Sequence, residues 1–474
     1  MAAPELDATA RVARLLQRTG FGAVSAERAE QAAAGGFDAA LDAVLTDSDP
    51  GAAATPPPHF PPLPERPKKP QRGQGGEEKD DAKDESGKDD KGGKGDKGGD
   101  ARSAYREAVR EQREQLTVWW LDRMTASEQP WPEKRTFLWH GHWATSIAKV
   151  KSADAMLAQN ETLRRDGGGD FRRLARAMVR DPALMVWLDA SGNTAEAPNE
   201  NLARELMELF VLGVGNYGEQ DVREAARSLT GWAVNRKTED GYTVRFRPRR
   251  HAEGAQRVLG TERDLDPKEL VDLLTARPES ARYLVTRWWG WLVSSEKGPS
   301  EEALDRITAA YGARRDVTAM VRAMFTDPAF ADPDSVLVKQ PVEYVVGSLR
   351  VLGLRPAELS GELRKFLLRT LTSLGQVPFR PPSVGGWPSG TAWLTTAAAR
   401  ARTAFAQRMT GEARESELLA TVRKAPAKDR PDRLADALGT EWSDRTRSVL
   451  AEAAGDPRRV TAVALTTPEY LVLG

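Results

Sequence analysis

The chain contains no cysteine. That excludes disulfides, thiolate metal sites, cysteine nucleophiles and thiolate-ligated haem, while leaving the compartment open. Histidine is scarce too, with four in 474 residues, so any imidazole chemistry rests on His59, His140, His142 or His251. No excess of one charge is present, because Lys+Arg and Asp+Glu are both 69. A nucleic-acid partner or an anionic membrane surface is therefore not expected from global steering. No run reaches the ~18 apolar residues of a membrane span. The opening Met1-Ala2-Ala3-Pro4-Glu5-Leu6-Asp7 lacks the basic start and apolar stretch of a signal peptide, so a cytoplasmic location is the expectation, with export alongside a partner left open. Phosphate-binding glycine loops, Gly-x-Ser-x-Gly elbows and HExxH pairs are missing as well.

What remains is a strongly helical pattern. The expected fold class is all-α: a large multi-helix domain with long loops, one minor strand or hairpin near 242–247, and a disordered charged insertion. The strand rests on Tyr242, Val244 and Phe246 alternating with Thr243 and Arg245. Residues 1–49 read as an N-terminal helical part of the main domain and 105–474 as its bulk. Between them, 50–104 begins with the proline run around His59 and Phe60. It continues into 77–100, which holds ten acids, six lysines and six glycines and no side chain larger than alanine that is apolar. Such a segment cannot offset the entropy of ordering it.

The densest feature is Asn199-Glu200-Asn201-Leu202-Ala203-Arg204-Glu205-Leu206-Met207-Glu208-Leu209-Phe210. At helical spacing, Asn201, Arg204, Glu205 and Glu208 share one face, and Leu202, Leu206, Leu209 and Phe210 lie opposite. Glu205 and Glu208 are candidate catalytic carboxylates, with Asn201 and Arg204 as substrate contacts. The alternative is a solvated face carrying an Arg204–Glu208 ion pair. Upstream, His140-Gly141-His142 forms an i,i+2 pair. On a regular helix the two rings diverge by about 200°; a helix ending at Gly141 would let them converge on a metal. His142 is also a candidate acid or base, and His251 a third metal ligand. The structural alternative places one imidazole in a tryptophan-rich core and the other at a helix C-terminus. Arg250, in the cluster Arg245, Arg247, Arg249 and Arg250, and Trp387, in a Pro/Gly loop, are further candidate substrate contacts. Nitrogen and oxygen donors alone would suit Zn, Mn, Fe or Ni.

Several segments together resemble a known family. They are Arg14-Leu15-Leu16-Gln17-Arg18-Thr19-Gly20-Phe21-Gly22, Trp139-His140-Gly141-His142-Trp143, the Asn199–Phe210 run and Leu229-Thr230-Gly231-Trp232. His251 to Gly260, Lys339-Gln340-Pro341-Val342-Glu343, Pro381-Pro382-Ser383-Val384-Gly385-Gly386-Trp387-Pro388 and Pro468-Glu469-Tyr470 complete the set. In this order they resemble the bacterial domain-of-unknown-function 1800 family over nearly the whole chain except about 50–104. The resemblance implies a helical fold without an assigned molecular activity. It also implies a protein partner of the domain-of-unknown-function 1501 family, which resembles phosphatases and sulfatases. Two functional expectations follow: a metal-assisted or His/Glu acid–base enzyme, such as a hydrolase, and a non-catalytic helical scaffold for that partner.

Overall fold

Helix Trp131–His142 occupies the centre of the molecule and is buried on almost every side, with Gly141 half-buried. In the computed structural model, which describes residues 6–64, 97–238 and 241–474, it forms a wall shared by two hydrophobic cores. Leu138, Trp139 and, beyond its end, Trp143 enter the first core; Phe137 enters the second beside Trp120. A helix this deeply buried cannot carry charges without partners. Its three charged residues are all met. Glu133 accepts from Trp120 Nε1 at 2.9 Å, Arg123 Nε at 2.6 Å and Arg164 Nε at 2.7 Å. Lys134 bonds Glu343 and the Gly20 carbonyl, and Arg135 bonds Asp47 and the Arg164 carbonyl.

Around it the chain is all-α. Twenty-five α-helices occur among the described residues, with three two-stranded antiparallel sheets. Side-chain caps start many of the helices. Asp7 accepts from Ala10 N–H at 2.8 Å, and Asn199 accepts from Leu202 N–H at 3.0 Å. The expected strand is one half of a hairpin, Gly241–Phe246 on Trp232–Thr238, registered Trp232 to Phe246 and Val234 to Val244. Its first strand follows the helix Glu219–Ser228, after which Gly231 turns the chain at φ +91°. A Cβ there would lie 2.7 Å from the Phe246 ring, so the turn needs glycine. Leu337–Val338 pairs with Val472–Leu473, tying the end of the chain to the core.

The insertion is narrower than expected. Residues 50–64 are docked rather than free: Ala52 and Phe60 are buried, the Thr55 carbonyl accepts from Trp119 Nε1 and Arg123, and the Pro61 carbonyl accepts from Gln112. Phe60 supplies the apolar anchor that the following stretch lacks. Residues 97–104 belong to the helix Lys97–Ala126. The most charged part of the expected insertion, with Lys68, Lys69 and Arg72, lies outside the described residues, as do Met1 to Glu5. Among the described residues no helix is long and apolar enough to cross a membrane.

Candidate functional site

The Asn199-capped helix runs as an α-helix over Glu200–Glu205 and widens into a π-helical turn over Leu206–Val211. The Leu212 N–H reaches back to the Met207 carbonyl at 2.8 Å, the i to i−5 bond of that turn. Near the end of a helix some carbonyls have no intrahelical donor. Two side chains from elsewhere meet them here: Tyr283 donates its hydroxyl to Leu209 O at 2.6 Å, and His142 donates Nε2–H to Phe210 O at 2.8 Å. π-Turns occur often at functional positions, and this one carries Glu208 on its outer side.

Glu205 and Glu208 are both half-buried, one turn apart. Burial and then the neighbouring Glu208 charge raise the Glu205 carboxyl above its ordinary value, against a smaller opposite pull from Arg204. Glu208 accepts a short hydrogen bond from the Tyr217 hydroxyl. Burial and that bond to Glu208 push the Tyr217 phenol well up. The phenol therefore remains a proton donor to Glu208 across neutral pH. Tyr283 is raised by burial as well, with Arg287 opposing. Its ring centroid stands 6.3 Å from that of His142. Arg287 lies over Trp291 at 5.2 Å and donates to the Gly385 carbonyl at 3.3 Å. Thus Glu208 on the π-turn and Glu205 just before it are half-buried, while Tyr283 and His142 hold the carbonyls of the same turn.

Other expected members sit elsewhere. Arg204 forms its close ion pair with Glu219, bidentate at 2.6 and 2.8 Å, with Glu200 at 3.7 Å; the expected Arg204–Glu208 pair is not made. Glu219 meets both branches of the guanidinium fork, while Glu208 is engaged by the Tyr217 hydroxyl. Asn201 is exposed and turns its amide to the Leu188 carbonyl at 3.3 Å. Arg250 is exposed on the turn after the hairpin. Trp387 is half-buried, stacked on Phe137 at 6.2 Å and edge-on to His140 at 5.4 Å.

The histidines do not converge. The helix continues through Gly141 to His142 with Trp143 as its C-cap, so the two rings diverge as helical geometry requires. His140 is enclosed by Trp120, Phe379 and Trp387, and its Nε2 accepts from the Phe379 N–H at 2.9 Å. Burial lowers its pKa to about 3. His142 is held neutral by burial and then by the Arg287 charge. Its Nδ1 is buried without a hydrogen-bond partner. His251 lies against Phe246 at 5.5 Å and bonds the Thr230 carbonyl through Nδ1 at 3.0 Å. Among the described residues no group of three His, Asp or Glu side chains is placed to hold a metal ion. The expected His140/His142/His251 ligand set therefore does not fit Zn, Mn, Fe or Ni: two of its nitrogens are already committed to the backbone inside the cores.

Four contributors were absent from the sequence reading: Tyr217, Tyr283, Arg287 and Phe379. Tyr217 sits in a glycine-flanked turn nine residues past Glu208, and Tyr283 with Arg287 forms an i,i+4 pair on one helix, so spacing offered a weak signal for each. Nothing in the sequence marks Phe379 N–H as a partner for His140.

Residues 14–472 match the family described as protein of unknown function, DUF1800, which includes every residue of this site. No curated protein and no solved structure matches the chain. With the family match extending over almost its entire length, the chain belongs to the DUF1800 family.

Proposed function

We propose that the chain is an acid–base enzyme acting on a polar substrate, with hydrolysis as the reaction and the Glu205–Glu208 face as its working site. The observation that carries this is the unlike environment of the two carboxyls. One is raised by burial and by its neighbour; the other takes a phenolic hydrogen bond from Tyr217. Paired carboxyls held in different environments divide into a proton donor and a proton acceptor. In this reading Glu205 is the acid and Glu208 the base. His142 fixes the π-turn from behind through the Phe210 carbonyl and does not itself exchange protons with substrate. The mechanism needs no histidine-held metal.

The test is a panel of chromogenic esters, phosphoesters, glycosides and peptide anilides, run with wild type, Glu205→Gln and Glu208→Gln. Wild type is expected to turn over at least one class. Each variant should lose about 100-fold or more while keeping its melting temperature. Unchanged turnover in Glu205→Gln, or collapse of the fold, would contradict the role.

A second reading is favoured by the histidines, which serve as internal hydrogen-bonding posts. In it the chain is a helical scaffold whose buried polar network fixes helix register for a phosphatase- or sulfatase-like partner of the domain-of-unknown-function 1501 family. Stoichiometric copurification with such a partner, together with an inactive substrate panel, supports the scaffold over the enzyme.

A further inference from the structure

A second polar centre lies at the junction of three segments: the Gly20-Phe21-Gly22 turn, the C-terminal end of helix Lys97–Ala126, and the end of helix Pro341–Val351. Two cavities meet there and share Arg28 and Arg350. The larger is an open cleft of about 470 Å³ bordered by Thr125, Ser127, Glu128 and Arg355. The smaller, about 30 Å³, runs inward past Gly20 and Gly22. None of these residues belongs to the Glu205–Glu208 face.

Arg350 is mounted there as a fixed cation. Its Nη1 donates to three carbonyls at the end of the long helix: Met124 at 3.1 Å, Thr125 at 2.8 Å and Ser127 at 2.6 Å. The Arg350 side chain lines both cavities, packed beside Gly22. Burial, and next the charge of Arg28, lower Arg350 to about 10, against a smaller opposite pull from Asp49; Arg28 and Arg350 border the same two cavities. Neither forms an ion pair among the described residues. The nearby acids take their hydrogen bonds from other groups. Asp122 holds Arg355 in a bidentate pair, and Asp49 accepts from Ser127, Glu128, Gln129 and Ala52. Glu128 alone remains as an acid on the rim.

Two guanidiniums bordering one cleft, neither of them in a direct ion pair, repel each other, and an oxyanion would relieve that repulsion while matching their planar donor forks. We propose that the cleft between Arg28 and Arg350 binds a tetrahedral oxyanion, a phosphate or sulfate group carried on a small organic molecule. The volume of the cleft exceeds what a bare ion fills and falls in the range of small-molecule sites.

The experiment is calorimetric titration of the full chain at fixed ionic strength with phenyl phosphate, phenyl sulfate and inorganic phosphate. At least one phenyl ester is expected to bind, and added chloride should weaken it. Arg28 is exposed, so Arg28→Glu should lose about tenfold or more in affinity without a fall in melting temperature. Glu128→Gln should bind more tightly. Inorganic phosphate binding as well as the esters assigns recognition to the oxyanion alone and discards the organic part of the proposal. No binding of any of the three, or equal affinity in Arg28→Glu, overturns the site.

Discussion

The Nε2 atom of His142 lies 2.8 Å from the Phe210 carbonyl oxygen. The bond joins the buried central helix to the π-turn whose outer side carries Glu208. Its direction fixes the tautomer: the proton is on Nε2, and Nδ1 faces the core without a partner. The imidazole therefore acts through position, holding the carboxylate turn in place.

Replacing His142 with phenylalanine keeps a ring and removes the donor. The Phe210 carbonyl would then be left unpaired in the core, at a cost of about 1–3 kcal/mol. Urea unfolding of wild type and His142→Phe measures it. An unchanged midpoint would show that the carbonyl finds another donor.

Acid should weaken the fold through the same histidines. Burial depresses His140 from 6.5 to about 3, and His142 is lowered too. Between those limits the unfolded chain binds protons that the native chain refuses, so stability is full above about pH 6.5 and falls as pH drops toward 3. Each histidine contributes up to about 1.4 kcal/mol per pH unit in that window. Unfolding free energies from pH 7 to 4 should show this slope, and His140→Gln should flatten it. A slope that is the same in the variant would remove His140 from the account.

The Lys134–Glu343 pair is buried on both sides. Removing one partner strands the other charge, so Lys134→Met should cost about 3–5 kcal/mol. The double variant Lys134→Met/Glu343→Leu should recover much of that loss. Additive losses in the double-mutant cycle would mean that the pair does not act as a unit.

Metal content provides a separate check on the histidines. Protein purified without an affinity tag should hold the same amount of metal as a His140→Ala/His142→Ala variant that remains folded. Near-stoichiometric metal that disappears in the variant would restore the histidine ligand set.

The fold was legible where a local pattern suffices. The helical face of Asn199–Phe210 and the strand at Tyr242–Phe246 follow from spacing and turn chemistry. The partner strand Trp232–Thr238 was not, because it follows directly on the helix Glu219–Ser228 and only the turn at Gly231 separates the two. The carboxylates of the candidate site could be read from one helix face. Tyr283, Arg287 and Phe379 could not, since they arrive from segments more than 70 residues away in the chain. The expected convergence of His140 and His142 failed for a tertiary reason: Gly141 sits inside a helix enclosed by two cores, whose packing keeps it helical.

The most direct measurement is a carbon-13 NMR titration of the Glu205 and Glu208 side-chain carboxyls in wild type and Glu208→Gln. The account predicts that Glu205 titrates above its ordinary 4.5 in wild type and moves back toward that value once the Glu208 charge is gone. Titration of Glu205 at or below 4.5 in the native protein would contradict the paired-carboxyl site on which the proposed chemistry depends.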